Sequence, residues 1–322
     1  MIFAYRLSEG RLTQMPPEAD LADAIWIDLY RPQPEQAALV AALGIEVPTL
    51  EDMEEIELSN RLYRVDCADY MTAVVPGQSP DKAPTAGPVT FIVTADRLIS
   101  VRYHAPRPFV TFPDRADRSS AGTATHVRLF LGLVEEIIAR MADLLEATGK
   151  VPDQTAAAAY DGTASQRPDL LQASLETLGR EGEALSRVRL GLLTVERMLS
   201  TFSLWSADRR SDKTDKTQAA LIKGLMRDIN SLEVHADFLS NRVSLATEVT
   251  LGMINLAQNA TIRIVSVVAA LFLPPTLIAS AYGMNFAVMP ELDWRWGYPM
   301  ALGMMVASAG ATFLYFKWKR WL

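Results

Sequence analysis

The tripeptide Gly283-Met284-Asn285 couples a residue free to make a tight or left-handed turn to a side chain with a neutral amide oxygen. Several copies around one axis would offer a ring of amides and helix-end carbonyls. Such a ring hydrogen-bonds the water shell of a hard divalent cation such as Mg²⁺, which sheds its water reluctantly, and passes the ion without trapping it. Glu291 and Asp293 follow shortly after and would raise the local cation concentration. Taken alone, the tripeptide also reads as a helix C-cap. A second set of residues extends the chemistry upstream. At about 100° per residue, Glu248, Asn255, Asn259, Ile262, Ser266, Ala269, Leu273 and Thr276 share one face of a helix. Polar groups mark the ends and centre of that face, and Ile262 and Leu273 form apolar constrictions able to gate by dewetting.

That chemistry belongs in a membrane, and two apolar runs supply the spans. Ile264 to Tyr282 (IVSVVAALFLPPTLIASAY) is uncharged and long enough to cross the hydrocarbon; Gly297 to Phe316 (GYPMALGMMVASAGATFLYF) is similar. Gly303, Ala307 and Gly310 suit helix packing in lipid. Pro274 and Pro275 remove backbone donors and are expected to kink the first span, freeing carbonyls that only a water-filled lumen would satisfy. Arg263 precedes the first span and Lys317, Lys319 and Arg320 follow the second, whereas between them Arg295 stands against Glu291 and Asp293. This asymmetry puts both termini in the cytoplasm, with Trp294, Trp296, Trp318 and Trp321 at the two interfaces. Two spans cannot enclose a pore. A ring of identical subunits with the first span on its axis is therefore required.

The segment before the first span must hold it in place. From Leu225 through Ile229, Leu232, Ala236, Leu239, Val243, Ala246, Thr250, Met253, Ala257 and Ala260 to Ile264, a seam recurs at alternating three- and four-residue spacing. With no proline before Pro274, one helix of about fifty residues is expected, roughly 75 Å long. Ala236, Ala246, Ala257 and Ala260 allow other helices to approach closely. The same segment carries Asp228, Glu233, Asp237 and Glu248, carboxylates able to hold a hydrated ion between copies; each also reads as part of a solvated helix face.

Upstream the pattern is mixed. IFAYRL and RLTQM around Glu9-Gly10 suggest a hairpin, AIWIDL a strand, and PEQAALVAALG a short helix entered at a proline. RVDCADYMTAVV, VTFIVTA and LISVRYH read as strands, and the turn-rich PGQSPDKAPTAGP from Pro76 to Pro88 as a surface loop or disordered insertion. Helical periodicity marks Thr125 to Ala147 and Leu170 to Phe202, with a weakly structured link between. The predicted fold is a cytosolic α/β domain with long packing helices (1–215), a stalk helix (216–262), a pore-lining span (263–284), a periplasmic loop (285–296), a second span (297–316) and a basic cytosolic tail (317–322).

Composition narrows the function. At 322 residues, 49% hydrophobic and 21% charged, the chain has room for one soluble domain and a small membrane portion. A net charge of -7 opposes nucleic-acid binding and suits cations. The lone Cys67 precludes an internal disulfide and reads as a buried strand thiol. The sequence MIFAYRLSEGRLTQ lacks the basic-then-apolar pattern of a signal peptide, so the first domain is expected to stay in the cytoplasm. An enzyme anchored by a C-terminal hairpin is the competing class. His104, His126 and His235 are scattered without ligand spacing, and neither a Gly-rich phosphate loop nor a nucleophile motif appears, which opposes an enzyme and an organic cofactor.

The stretch AYGMNFAVMPELDWRWGYP, followed by a short span and the ending FKWKRWL, resembles the CorA family of divalent metal-ion channels. The likeness lies in Tyr-Gly-Met-Asn-Phe, Met-Pro-Glu-Leu, Trp and Gly-Tyr-Pro; it is dense over Asn259 to Leu322 and consistent in layout before that. It implies a funnel-shaped homopentamer in the lipid of a bacterial-type inner membrane. It also implies passive Mg²⁺ entry driven by the membrane potential, regulated by cytosolic Mg²⁺, with Co²⁺ and Ni²⁺ as lesser substrates. By this resemblance Asn285 takes the filter position, Thr276 in Pro-Pro-Thr the outer pore and Asn259 the inner pore. Three departures stand out: Pro275 replaces the usual Leu, Ala279-Ser280 replaces Ala-Gly, and the regulatory Asp position falls at Gly224, with Asp228 one turn along. Related Zn²⁺ transporters of the ZntB type share the layout, but resemble Gly-Val-Asn and lack Met-Pro-Glu-Leu.

Overall fold

The computed structural model describes residues 1–55, 57, 61–66, 68–160, 168–208, 214–284, 289–290, 294–319 and 321. Its sheet has seven strands: β1 (Ile2–Ser8), β2 (Arg11–Gln14), β3 (Trp26–Tyr30), β4 (Leu62–Val65), β5 (Ala68–Gln78), β6 (Pro84–Val93) and β7 (Leu98–Arg102). Their order is β2-β1-β3-β7-β6-β5-β4, and only β3 and β7 pair in parallel. Side chains alternate across a strand. Trp26, Phe91, Val93 and Leu98 consequently enter one core, and Ile27, Ile92 and Ile99 the other. The second core is closed by α1 (Pro34–Ala41) and α2 (Leu50–Glu54) through Val40 and Met53. Thr49 caps α2 reciprocally: its hydroxyl accepts from the Asp52 amide, while its own amide donates to the Asp52 carboxylate. The first core is closed by α3 (Pro108–Thr111), α4 (His126–Tyr160), α5 (Pro168–Asp208) and α6 (Thr214–Tyr282), with Phe109, Phe130, Phe202 and Ile229 buried among them.

The hairpin at Glu9-Gly10, with φ of 51° and 78°, and the strands and helix expected from AIWIDL to LISVRYH are present. Four features differ from expectation. Residues 76–88 belong mostly to β5 and β6, whose register pairs Val75 with Gly87 and Gln78 with Pro84. They extend beyond the rows that pair with β4 and β7, so the prolines sit on a ribbon edge where no ladder donor is lost. RVDCADYMTAVV is a hairpin rather than one strand, turning at Asp66 with φ of 52°; Cys67 lies outside the described residues. α4 continues past Pro152 to Tyr160, helped by the four alanines 156–159, where a weakly structured link was expected. α6 extends over 69 residues and remains one helix through Pro274 and Pro275.

The chain forms two compact units. One comprises Met1–Thr155 with Glu176–Thr247, the other Ala156–Leu175 with Glu248–Leu322. Within the first, a buried polar chain ties β3 to β7. Trp26 Nε1 donates to Ser100 Oγ at 3.0 Å, and Ser100 Oγ donates to Asp28 Oδ1 at 2.8 Å. Arg102 donates to both Asp28 oxygens, at 3.1 Å from Nε and 2.8 Å from Nη2, and its remaining arm reaches the His104 carbonyl at 3.2 Å. The guanidinium also lies over the Tyr30 and Phe109 rings, at 4.5 and 4.9 Å. Removing one member of a buried, hydrogen-bonded ion pair strands the other without solvent. Asp28→Ala should cost about 3–5 kcal/mol, measured by denaturant unfolding of the purified protein, whereas Tyr30→Ala, which leaves the pair intact, should cost less.

Candidate functional site

α6 and the following helix α7 (Gly297–Trp318) are long and apolar enough to cross a membrane, and only 6% of each apolar window is buried within the chain. Up to Ala257 the expected seam is the buried face of α6: Leu225, Ile229, Ala236, Leu239, Val243, Ala246, Thr250 and Ala257 are buried, and Leu232 and Met253 partly so. Ala260 and Ile264, the last members of the seam, are exposed within the single chain. Beyond Ala257 the helix buries another line, Val267 with half-buried Leu271, Pro274, Ile278 and Tyr282. The ten residues from Ala257 to Val267 rotate the buried face by about a quarter turn. α7 buries Gly297 and Ala301, while Gly303, Ala307 and Gly310, the expected packing residues, are exposed.

Glu248, Asn255, Asn259, Ile262, Ser266, Ala269, Leu273 and Thr276 are all exposed, on the side of α6 away from Val267 and Leu271. Ile262 and Leu273 are 63% and 66% exposed, so large apolar side chains alternate here with amides and hydroxyls. The Thr276 hydroxyl donates to the Phe272 carbonyl at 2.7 Å, a bond within the helix. Asn255 and Asn259 have no side-chain hydrogen bond among the described residues. Ser280, eighteen residues after Ile262, returns to the same angle and is also exposed. The sequence reading omitted it, although five full turns of helix is a signal legible by counting.

At its end α6 tightens. Gly283 N donates to Ala279 O at 2.9 Å, and Met284 N reaches back only three residues to Ala281 O at 3.4 Å. Gly283 is not among the residues with positive φ, so the anticipated left-handed turn does not occur there. A glycine still suits the position, because a Cβ would stand 3.2 Å from the Ala279 carbonyl oxygen. Met284 is half exposed; Asn285, Glu291 and Asp293 lie outside the described residues.

Among the described residues, no group of three or more His, Cys, Asp or Glu side chains is arranged to hold a metal. Asp228, Glu233, Asp237 and Glu248 are spread along α6, the first three in one compact unit and Glu248 in the other. Asp237 is bonded to Arg189 of α5 at 2.8 Å. Glu233 is shifted upward, first by burial and then by the charges of Glu196 and Asp237, against the opposing pull of Arg189. Arg189 and Glu196 were missing from the sequence reading because nothing local in α5 says which face meets α6. A carboxyl whose folded pKa is raised binds its proton more tightly in the folded state, so its ionisation weakens the fold as pH rises. The penalty is absent below the unfolded value near 4.5 and complete above the folded one. Glu233→Gln should therefore unfold at a higher temperature than the parent at pH 7.5. The gap should close as pH falls through the carboxylate range, and calorimetry across that range checks it.

An α/β unit joined by one long helix to apolar helices of lipid-crossing length is the layout of a class of membrane protein. A family model described as CorA-like Mg2+ transporter protein matches residues 22–320, and the chain belongs to that family. It is 33% identical over 325 residues to a magnesium transport protein CorA of Pasteurella multocida, covering 100% of both. Its fold is similar to the complete structure of the CorA magnesium transporter from Methanocaldococcus jannaschii: TM-score 0.70, 17% identity, covering 100% of this chain and 99% of that one. The ZntB cytoplasmic domain from Vibrio parahaemolyticus is similar at TM-score 0.57 and 11% identity, over 76% of this chain and 94% of that one. At that identity the likeness concerns fold alone.

Proposed function

We propose that the chain is a Mg²⁺ influx channel, a homopentamer in a bacterial-type inner membrane with both termini cytoplasmic. The carrying observation is the face from Asn255 to Thr276: the amides of Asn255 and Asn259 precede the span and the hydroxyls of Ser266 and Thr276 lie within it, all exposed opposite the face the helix buries. Polar groups in hydrocarbon need water or a partner, and five such faces around an axis would line a hydrated path. The full-length relatedness to a magnesium transport protein supports Mg²⁺ as the cargo. Residues 216–262 then form the stalk, 263–284 and 297–316 the spans, and 285–296 a periplasmic loop where Glu291 and Asp293 concentrate cations. Co²⁺ and Ni²⁺ are lesser substrates, and cytosolic Mg²⁺ between stalk carboxylates of neighbouring copies holds the ring closed.

Gly283-Met284-Asn285 acts as the filter in this reading. With five copies, Asp at position 285 would place like charges around one axis, where a captured cation relieves their repulsion. Conduction needs an ion to leave as well as enter. Asn285→Asp should therefore bind divalent ions more tightly and pass them more slowly. Asn285→Ala should lose Mg²⁺ uptake into proteoliposomes while its size-exclusion profile still reports the assembled ring. If Asn285→Ala transports like the parent, the tripeptide is only a helix cap. Parallel uptake of Zn²⁺ identifies a transporter of the ZntB type should it exceed that of Mg²⁺.

Ile262 and Leu273 form the gate. An apolar ring blocks ions by shedding water, and a hydroxyl restores it. Leu273→Ser should raise Mg²⁺ flux in proteoliposomes and blunt inhibition by Mg²⁺ on the cytosolic side. Unchanged flux places the gate elsewhere.

A further inference from the structure

In a chain of net charge -7, one cavity of the first unit has a wholly cationic charged lining. It encloses about 400 Å³ where the far ends of β5 and β6 meet α3, α4 and α5. Arg107, Arg140 and Arg187 line it together with Val110, Leu144 and Val188, and no carboxylate does. The three guanidiniums come from separate elements. Arg107 sits between Pro106 and Pro108, whose rings restrict the backbone on both sides, and has no ion pair among the described residues. Arg140 and Arg187 have only helical neighbours, Asp143 at 3.7 Å and Glu183 at 2.7 Å, and those carboxylates are 69% and 71% exposed. Solvent-facing pairs of this kind exchange readily for a better anion.

The walls are built before any ligand arrives. Thr194 Oγ1 accepts from the Val74 amide at 2.9 Å and fixes β5 to α5. Gly191 allows the close fit, since a Cβ there would stand 2.9 Å from Met141 Sδ and 3.2 Å from Pro76 Cδ. Guanidinium forks match phosphate oxygens two at a time, and three of them match a chain of phosphates better than one. The apolar side offers a surface for a flat ring, and the volume lies within the range of about 300–1,000 Å³ typical of small-molecule sites.

We propose that this cavity binds a soluble organic polyphosphate of the nucleoside di- or triphosphate class, phosphates on Arg107, Arg140 and Arg187 and the base against Val110, Leu144 and Val188. Binding is independent of transport and is read without it. Calorimetric titration of the detergent-solubilised full-length protein with ATP, ADP and inorganic phosphate, in Mg²⁺-free buffer at two salt concentrations, tests it. ATP should bind at least about tenfold more tightly than inorganic phosphate, and more weakly at high salt. The double substitution Arg107→Gln with Arg140→Gln should weaken ATP at least about tenfold, with the ligand-free melting temperature unchanged. Val110→Glu puts a carboxylate at a position 70% exposed, where no core is disturbed, and should abolish ATP binding. No heat up to millimolar ATP, phosphate binding as tightly as ATP, or full affinity in the Val110→Glu protein would each overturn the assignment.

Discussion

A polar side chain on a helix surrounded by hydrocarbon needs water or a hydrogen-bond partner, and this constraint governs α6. The Thr276 hydroxyl donates to the carbonyl one turn back, whereas Asn255 and Asn259 make no side-chain hydrogen bond among the described residues. Their amides face outward from a helix that buries its opposite side. Placed in lipid, they would each carry the cost of an unmade hydrogen bond. Placed around water, they carry none. Asn255 and Asn259 precede the apolar run that begins at Ile264, so within that run the polar groups on this side are the hydroxyls of Ser266, Thr276 and Ser280.

The seam explains how one helix serves two surroundings. In the first unit, burial of Ile229, Ala236 and Leu239 against the sheet-packing helices fixes which side of α6 looks inward. Alanine at position 236, and at 246 and 257 further along, keeps the contact shallow. Past Ala257 the buried line turns by about a quarter revolution to Val267 and Leu271. A helix cannot twist its backbone to follow a strict three-four repeat indefinitely, because 3.6 residues per turn drifts against it. That drift, about 20° per heptad, amounts to roughly 30° over the ten residues, so it accounts for part of the change of face, which occurs with no break in the helix.

Long-period features were legible in the sequence and short-range exceptions were not. The strands AIWIDL and LISVRYH carried their own periodicity, as did α6, and the tripeptide and its flanking residues marked the family. The ribbon at 76–88 was misread because Pro76, Gly77, Pro84, Gly87 and Pro88 are loop residues by composition, and only the sheet register shows that β5 and β6 pair with each other there, beyond the rows shared with β4 and β7. α4 was ended too early, at Ala147, for the same kind of reason: Pro152 reads as a local breaker but is outweighed by the alanines after it. The small-residue line Gly303, Ala307 and Gly310 has the right spacing for packing in lipid, while within the single chain α7 buries Gly297 and Ala301. Spacing gives a stripe; it does not say which of two stripes is used. Contacts between elements far apart in sequence, such as Arg189 with Asp237, leave no local trace at all.

In the proposed assembly, a metal site among the carboxylates of α6 would require more than one copy of the chain, because among the described residues they form no cluster able to hold an ion. Asp237 already has its counter-charge in Arg189, and the same arginine partly offsets the repulsion that Glu196 and Asp237 exert on Glu233. Three carboxylates and one guanidinium leave a local excess of negative charge, too small and too dispersed to strip or cage a divalent ion. A second copy bringing its own excess against the first would add repulsion across the interface, and a hydrated cation between them would remove it. Charge that is tolerable in one chain thus becomes costly in an assembly. In the proposed assembly the ion would act as part of the interface, and its concentration would act on how firmly neighbouring copies hold together.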